Sequence, residues 1–493
     1  MEMTRPEILA VYAEGPEAVV TLVQGLCAHI TALEARISDL EARVHDLEAQ
    51  LHLDSHNSGK PPASDRFEQR SRRRHRTHSL REASGRPPGG QPGHPGHTLG
   101  AVPHPDQVVP HQPSQCAHCQ ALLPETAPIR GHTARQVFDL PPLRLVVTEH
   151  QAYTRECPAC GQPTTAAFPP TVRAPVQYGP QLLALATYLR CEHLVPLERT
   201  HQVLGDLLGQ PVSEATLLSA QAAVQGRLQG LAGRIRRGLT RGAVVQCDES
   251  GCYVAQQRYW LHVATTPHLT LYGVSPHRGQ KAQAALGVLP HFRGIAVHDA
   301  YQAYSVYRGP HALCNVHHLR ELTYLAEEEH QAWAHALKQL LLTMHREVAA
   351  ARQTGQSALP ARRCQRLVRR YRRLLDQGYA GQPAAPPRAS PARRGRRKQS
   401  KVKNLLDRFR DRQEDVLRFL YDFRVPFDNN LAERDLRMLK VQQKIAGCFR
   451  TLRGAEEFCR LRSYLSTAKK QGVNALRALQ LLFQGRPFVP ALT

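Results

Sequence analysis

The chain has 493 residues, more than one hydrophobic core usually holds, so several domains are expected. Its 65 lysines and arginines outnumber its 41 aspartates and glutamates, and the formal net charge of +24 favours a polyanionic partner, most often a nucleic acid. No uninterrupted run of about 18 apolar residues occurs, and the first residues lack the basic and apolar segments of a signal peptide, which predicts a cytoplasmic protein with no membrane partner.

The first predicted element is a long helix with a seven-residue repeat, within an N-terminal segment of residues 1–54. Apolar residues fill two positions of the repeat, Val23, Ile30, Ile37, Val44 and Leu51 at a and Leu26, Leu33, Leu40 and Leu47 at d. β-Branched residues at a with leucine at d favour a parallel dimer. Opposite charges lie at the flanking positions, Arg36 and Arg43 at g and Glu41 and Glu48 at e. The pattern predicts a leucine-zipper coiled coil that forms a homodimer or higher oligomer; a helix packed on its own domain is the alternative.

Residues 55–108 are rich in proline, glycine, serine and arginine, which predicts a basic linker. A segment of this composition cannot bury enough apolar surface to fold alone. Its SRRRHR stretch, with Arg72, Arg73 and Arg74, could neutralise DNA phosphates without reading the base sequence. A solvated run of charge is the alternative.

Two CxxC pairs lie in the next segment, residues 109–165: Cys116 with Cys119, and Cys157 with Cys160. The thiolates of one such pair can bind the same tetrahedral Zn²⁺, and two pairs supply four sulfur ligands. The intervening LRLVVTEHQAYTREC is rich in strand-forming residues. The segment therefore predicts a zinc ribbon with a structural Zn²⁺; a redox CxxC is the alternative, against which the second pair argues.

Residues 166–240 have helical periodicity. Within them PLERTHQVLGDLLGQPVSEATLLSAQAAV predicts one helix, a break at Gly209 and a second helix with Ser213 as its N-cap. This spacing permits a helix-turn-helix that presents its second helix to a DNA major groove. A helical hairpin that only contributes to a core is the alternative.

Residues 241–325 change to a strand pattern. The stretches VVQCDES, RYWLHVATT and LTLYGVS predict three strands, KAQAALGVL a helix, and GIAVHDA and HALCNVHH two more strands. Three antiparallel strands followed by alternating helix and strand indicate an α/β domain of the ribonuclease H type. Asp248 is expected at the end of the first strand and Asp299 at the end of the fourth. Glu249 is expected to face the opposite way, as a supporting or surface group.

Two carboxylates at adjacent strand ends would repel each other unless a cation lay between them. Mg²⁺, or Mn²⁺ in its place, takes such oxygen ligands, and a third carboxylate would allow two ions about 3.5–4 Å apart. Cys314, His317 and His318 are expected to line a core or to orient a nearby carboxylate, with a separate metal site as the alternative.

Residues 326–424 are helical and strongly basic, which predicts an insertion in the α/β domain of the ribonuclease H type. The excess of arginine and lysine favours contacts with the DNA backbone. The predicted contacts are Arg393, Arg394, Arg396, Arg397 and Lys398. A solvated run of charge is again the alternative.

The last segment, residues 425–493, begins with VPFDNNLAERDLR, which predicts a capped helix start. Glu433 could supply the third carboxylate from this helix, although the spacing does not select it over Asp428 or Asp435. Three basic residues remain to meet DNA phosphates, namely Arg434, Arg437 and Lys440. A capped helix without a catalytic role is the alternative.

The stretches CDES, HDAYQAY, CNVHHLREL and VPFDNNLAERDLRMLKVQQKIAGCFRTLRGAEEF resemble those of transposases of the insertion sequence 66 family. The resemblance extends to the zipper, the NSGKPPASD linker and the paired CxxC motifs. It implies a DDE enzyme of bacterial mobile elements, with Asp248, Asp299 and Glu433 as the catalytic and metal-binding residues. The family often has threonine where this chain has Ser250. It also implies metal-dependent cleavage and strand transfer of DNA, with companion proteins encoded by the element and association with the nucleoid.

The sequence as a whole therefore predicts a multidomain α/β transposase. The order is coiled coil, zinc ribbon, helical region and ribonuclease-H-like core with a helical insertion. A DNA-binding regulator whose acids are structural is one alternative, and a stand-alone metal-dependent nuclease is another. A binding protein has no need to gather three carboxylates around one cavity, and a nuclease would cut without joining.

Overall fold

The computed structural model describes residues 4–51, 93, 99–382 and 399–492. Two compact units divide the described residues. The first contains those within 1–76, 226–474 and 488–493, and the second contains those within 77–225 and 475–487. Eight predicted DNA contacts lie outside the described residues, namely Arg72, Arg73, Arg74, Arg393, Arg394, Arg396, Arg397 and Lys398.

Two helices open the chain, α1 (Arg5–Ala13) and α2 (Pro16–Leu51). The described apolar residues of the seven-residue repeat are about half exposed in the single chain, from 45% for Leu26 to 55% for Ile37. Within the described residues, Pro16–Glu41 is also long and apolar enough to cross a membrane. Length and composition alone give that result, so it is weak support for a membrane span.

The second unit contains a short hairpin and a small helical cluster. The hairpin joins β1 (Thr154–Glu156) and β2 (Pro163–Thr165) in antiparallel pairing. The helices are α3 (Pro180–Thr187), a short turn of π-helix (Tyr188–Glu192), α4 (Leu197–Leu208) and α5 (Glu214–Ala223), with α15 (Ala475–Phe483) from the C-terminal end. Ala186, Leu204, Val212 and Leu217 form their core.

The break and the start predicted between α4 and α5 are confirmed. Gly209 ends α4 with a left-handed backbone, φ +69°, which glycine adopts without steric cost. Ser213 caps α5 by accepting the N–H of Thr216 on its hydroxyl at 3.2 Å. The strand predicted across LRLVVTEHQAYTREC is wrong for most of its length, because only Thr154–Glu156 is a strand. Val146 and Val147 are 84% and 91% exposed, so among the described residues these two side chains have no surface on which a strand could pack.

The first unit is built on a five-stranded sheet, which α6 (Gln225–Arg241) precedes in the chain. Its strands are β3 (Val244–Val254), β4 (Gln257–Thr265), β5 (Thr270–Ser275), β6 (Ile295–His298) and β7 (His311–Leu313), with α7 (Gln280–Leu286) between β5 and β6. Two short 3₁₀ turns flank β6, Leu289–His291 and Gln302–Tyr304. The strand order is β5-β4-β3-β6-β7. β3, β4 and β5 pair antiparallel, whereas β6 and β7 pair parallel to β3 and to each other.

Helices follow the last strand in the chain and pack with the sheet. After β7 the chain forms α8 (Asn315–Glu327), α9 (Ala332–Gln353), α10 (Ala361–Ala380), α11 (Lys401–Asp411) and α12 (Gln413–Tyr421), and then α13 (Asn430–Ala446) and α14 (Leu452–Lys470). The described part of residues 326–424 is helical, as predicted, and forms α9 to α12, which share one large apolar core with β6, β7 and α8. Leu436 and Leu439 of α13 pack with Leu261 and Val263 on one face of the sheet.

Two predictions about the strands are wrong. HALCNVHH is a strand only to Leu313, because Cys314 adopts an N-cap conformation and α8 begins at Asn315. Asp248 lies in the middle of β3 and not at its end, because β3 continues to Val254 in its pairing with β4. On the other side, β6 pairs with β3 only as far as Gln246, so Asp248 lies just beyond the end of that parallel neighbour.

Candidate active site

Asp248 and Asp299 lie where the parallel pairing of β3 and β6 ends. β6 ends at His298, so Asp299 follows it directly, and its Oδ1 accepts the N–H of Tyr301 at 3.0 Å. Asp248 Oδ1 accepts the N–H of Glu249 at 2.8 Å. The carboxyl end of a strand in an open α/β sheet is a common position for a site, because the loops beyond it diverge and leave a crevice.

Glu433 lies in the first turn of α13, and several hydrogen bonds fix the start of this helix. The N–H of Glu433 donates to the carbonyl oxygen of Asn429 at 3.1 Å. Asn429 is 2% exposed; its Nδ2 donates to the carbonyl oxygen of Cys247 at 2.8 Å and its N–H donates to Cys314 Sγ at 3.3 Å. The helix that carries Glu433 is therefore tied both to β3, one residue before Asp248, and to the start of α8.

The charges of these carboxylates interact. Burial raises the pKa of Asp248 well above its ordinary value, and the negative charges of Glu249, Asp299 and Glu433 raise it further. A divalent cation would relieve this repulsion, and carboxylate oxygens are the ligands that Mg²⁺ prefers. The donor chemistry therefore fits the predicted metal. The carboxylates of Asp248, Asp299 and Glu433 are not among the groups within the described residues whose ligand atoms lie within 4.8 Å of one another.

His317 faces Glu433 from α8. Its Nε2 lies 3.4 Å from Glu433 Oε1, and this contact lowers the pKa of Glu433 against the opposing effect of burial. Cys314, His317 and Glu433 have potential ligand atoms within 4.8 Å of one another. The predicted role of His317, to orient a nearby carboxylate, agrees with this geometry. His318 is buried and packs edge-on against Phe409, so it belongs to the core.

Glu249 lies on the opposite face of β3 from Asp248. Its side chain is 1% exposed, so its interpretation as a surface group is wrong. Its carboxylate accepts the hydroxyl of Tyr304 at 2.6 Å and Nε of Arg278 at 2.9 Å. Burial raises the pKa of Glu249, and the charge of Asp299 contributes, so the two carboxylates lie near each other. Neither role was predicted. Arg278 lies in a loop with no recognisable motif, and Tyr304, the last residue of HDAYQAY, lies in a short 3₁₀ turn where no local pattern indicates its bond to Glu249.

The two acids that spacing could not distinguish from Glu433 have other partners. Asp428 accepts the N–H of Asn430 at 3.0 Å and its Nδ2 at 2.7 Å, which closes the turn before α13. Asp435 Oδ2 lies 2.7 Å from Nζ of Lys470 and also accepts the hydroxyl of Thr265 at 2.8 Å. Asp435 therefore fastens α13 to β4 and α14.

The two CxxC pairs adopt the same local geometry. The N–H of Gln120 donates to the carbonyl oxygen of Cys116 at 2.9 Å, and that of Gly161 donates to Cys157 at 2.8 Å. Both Gln120 and Gly161 have a positive φ, near +60° and +69°.

Backbone N–H groups of the same turns lower the pKa of the first thiol of each pair, Cys116 and Cys157, which favours the thiolate that binds zinc. The donor chemistry fits Zn²⁺. The four sulfur atoms are not among the groups within the described residues whose ligand atoms lie within 4.8 Å of one another.

Basic residues cover two surfaces of the first unit. Arg434, Arg437 and Lys440 are exposed along α13, beginning one residue after Glu433, and Lys444 extends this row without having been predicted. On α10, leucine, valine and tyrosine face the core while the exposed side carries arginines, namely Arg362, Arg366, Arg369, Arg370, Arg372 and Arg373. The predicted DNA-reading helix α5, EATLLSAQAA, contains no lysine or arginine.

Comparison with known proteins gives three matches. Residues 175–457 match the family described as Transposase IS66 family. Residues 113–161 match the zinc-finger binding domain of transposase IS66, and residues 10–100 match a family of unknown function (DUF6444). No curated protein matches the chain.

Proposed function

Because the chain belongs to the IS66 family of transposases, we propose that it cuts DNA at the ends of an insertion sequence and joins those ends to target DNA by a DDE mechanism. Asp248, Asp299 and Glu433 are the proposed catalytic residues. The observation that carries the proposal is that two carboxylates from other parts of the fold, Asp299 after β6 and Glu433 on α13, act on the charge of the buried Asp248. A purely structural role for the buried Asp248 would call for a cationic partner, as Asp435 is paired with Lys470.

The five-stranded sheet also supports the proposed division of the chain into domains. Three antiparallel strands extended by two parallel strands support a ribonuclease-H-like catalytic core, formed by residues 241–325 and 425–493. The helices of residues 326–424 are an insertion between the second and the third carboxylate. The zinc ribbon, residues 109–165, and the helical region, residues 166–240, precede the core as separate parts.

In the proposed mechanism the three carboxylates would hold two Mg²⁺ or Mn²⁺ ions. When bound, such ions activate an attacking water or 3′-hydroxyl and stabilise the leaving oxygen at phosphorus. The protein contributes mainly position, because phosphoryl transfer demands alignment and charge neutralisation more than covalent chemistry. Asn429 fixes the helix of Glu433 against β3, and His317 limits the directions in which the Glu433 carboxylate can point.

The remaining parts supply DNA contacts and assembly. Arg434, Arg437 and Lys440 hold DNA phosphates beside the carboxylates, and the basic stretches outside the described residues add contacts without base recognition. The zinc ribbon carries structural Zn²⁺ on its four cysteines. The repeat of α2 pairs two chains or more, which would cover its half-exposed apolar residues. The protein acts in the cytoplasm, at the nucleoid, with companion proteins of its element.

The test is cleavage and joining of DNA that carries the inverted repeats flanking the gene. Wild type is compared with Glu433→Gln, in Mg²⁺ or Mn²⁺ and then in EDTA, with companion proteins supplied. We expect wild type to cut and join only with metal, and Glu433→Gln to bind DNA without cutting it.

The other outcomes identify the alternatives. Binding without cutting by both proteins would make the chain a DNA-binding factor, and cutting without joining would make it a nuclease.

A further inference from the structure

Arg278 is held beside the carboxylates by three elements of the fold. Its guanidinium lies 4.9 Å from the ring centre of Trp260 on β4 and 4.3 Å from that of Tyr301, two residues after Asp299. Arg278 Nε donates to Glu249 at 2.9 Å, and the hydroxyl of Tyr304 fixes the same carboxylate from the other side. Stacking and a charge-assisted hydrogen bond together restrict the rotamers of a side chain that would otherwise move freely.

This arrangement leaves part of the guanidinium available. Arg278 keeps 42% of its side chain exposed, and within the described part of the chain its hydrogen bonds use Nε alone. Burial lowers the pKa of Arg278, but the contact with Glu249 and the charge of Asp299 raise it, and the net pKa lies above its ordinary value. The cation therefore interacts with Asp299, a proposed metal ligand. The two terminal nitrogens can still donate to a planar or tetrahedral anion.

A surface arginine that served only to neutralise Glu249 would not need two aromatic rings to hold its plane. Arg258 provides the comparison, because it also stacks on Trp260, at 4.8 Å, but contacts no carboxylate among the described residues. Arg278 thus differs from Arg258 in its fixed position beside the site, and not in its ring contact.

We propose that Arg278 is a phosphate clamp, whose terminal nitrogens bind a backbone phosphate at or next to the bond that is cut. This inference deepens the proposed transposase function and rests on it. Tyr304 and Glu249 are positioning residues for Arg278, and Trp260 and Tyr301 hold the plane of its guanidinium.

The first test measures binding and needs no catalysis. Chains carrying Asp248→Asn, with and without Arg278→Ala, are titrated with duplexes of the flanking inverted repeat in which one phosphate at a time is replaced by a neutral methylphosphonate. We expect one or two adjacent positions where neutralisation weakens binding about tenfold with Arg278 present and less than about twofold with Arg278→Ala. Arg258→Ala, the matched control, should retain the tenfold effect.

The second test measures cleavage of unmodified repeat DNA. Arg278→Ala should cut roughly 10- to 100-fold more slowly than wild type, with the position of the cut unchanged. If Arg278→Ala fails to fold, Arg278→Gln replaces it in both tests, since glutamine keeps a donor for Glu249 without the charge. If no phosphate position is found at which the loss of binding depends on Arg278, the proposal that Arg278 binds a phosphate is wrong. If wild type cuts no DNA, the transposase proposal fails, whereas the binding test still decides the role of Arg278.

Discussion

The side-chain amide of Asn429 donates to the carbonyl oxygen of Cys247 at 2.8 Å, which joins the residue one turn before Glu433 to the residue just before Asp248. Two proposed metal ligands that lie far apart in the chain are thus positioned through one buried amide. On the side of β3 where β6 has ended, this carbonyl has no strand to pair with, and Asn429 satisfies it.

Replacement of Asn429 by alanine should separate the two carboxylates without unfolding the domain. We expect a loss of roughly 1–3 kcal/mol in the free energy of unfolding, because the Cys247 carbonyl is left buried and unpaired. Cleavage should slow, and the Mg²⁺ concentration for half-maximal cutting should rise. The control is Asn430→Ala, because Asn430 is exposed and its side-chain amide, within the described part of the chain, donates to Asp428 alone. If Asn429→Ala and Asn430→Ala need the same Mg²⁺ concentration for half-maximal cutting, Asn429 does not position the carboxylates.

Asp248→Asn should abolish cutting, leave DNA binding intact and raise the thermal stability of the metal-free protein. The carboxyl of Asp248 has a raised pKa because burial and neighbouring carboxylates disfavour its charge. A group whose folded pKa lies above the unfolded value loses stabilising effect as pH rises through it, so at pH 7 the ionised form opposes folding. Melting curves at pH 7 without metal test the stability, and retained cutting would refute the assignment.

Asp435→Asn should destabilise the protein, in contrast to Asp248→Asn. Asp435 lies on α13, the helix that also carries Glu433. The substitution removes a charge that lies 2.7 Å from Lys470, whose side chain is 14% exposed, and should cost about 3 kcal/mol of stability. The variant should still require the same Mg²⁺ concentration for cutting. A shift in that requirement comparable to the Asn429→Ala shift would show that Asp435 and not Glu433 lies at the metal.

Cys157→Ser should release structural zinc. The thiol of Cys157 has a pKa lowered by the N–H groups of Ala159 and Cys160, and a serine hydroxyl does not replace a thiolate as a zinc ligand. Zinc per chain, measured by atomic absorption after dialysis, should fall by about one ion. Cys448→Ser, an exposed cysteine outside both pairs, should keep the metal. Equal zinc contents in Cys157→Ser and Cys448→Ser would contradict a zinc ribbon that uses Cys157 as a ligand.

Leu33→Asp should weaken self-association of the full chain. Leu33 occupies a d position and is 46% exposed in the single chain, so a partner helix would bury it together with its neighbours. A charge there should raise the dissociation constant at least about 100-fold, measured by sedimentation equilibrium at micromolar concentration. Ala35→Asp, two residues away at an outer position of the repeat, should leave the mass of the assembly unchanged. A monomeric wild type would disprove the coiled coil directly.

Acid should destabilise the first unit through His262. Burial lowers the pKa of His262 to about 4, and its two nitrogens are engaged by the His277 carbonyl and by Nε2 of Gln283, each at 3.1 Å. Between about pH 6.5 and pH 4 the unfolded chain therefore binds a proton that the folded chain does not. Stability should fall by roughly 1–2 kcal/mol from pH 7 to pH 5 on this account. Urea unfolding at pH 7 and pH 5 should show a smaller loss of stability for His262→Gln than for wild type. An equal loss in both proteins would contradict the role of His262.

Much of the sheet could be predicted because its strands carry their own signal. Val244, Val245, Ile295 and Val297 form short apolar runs bounded by polar residues, and each run is a strand. The acid that follows such a run can be found by the same signal, as Asp299 was. The end of β3 could not be found, because the polar stretch DESG continues the strand by pairing with β4.

The groups that support the carboxylates could not be predicted from local pattern. Asn429 belongs to an ordinary helix start, and only its long-range bond to Cys247 gives it a further use. Arg278 lies in a loop and acquires its neighbours from β4 and from the segment after β6. The strand predicted through CNVHH placed His317 on a strand, whereas β7 ends at Leu313 and His317 lies on α8, which begins at Asn315.

The late position of α13 in the chain sets an order of events during synthesis. The bonds that hold this helix connect residues 182 and 115 positions apart, and contacts of such separation form slowly. A chain emerging from the ribosome has therefore released α2, its zinc-finger domain and all five strands of the main sheet before Glu433 is made. On the proposed mechanism, a growing polypeptide can meet a partner chain and DNA while it is still unable to cut, and it can cut DNA only after α13 has been made.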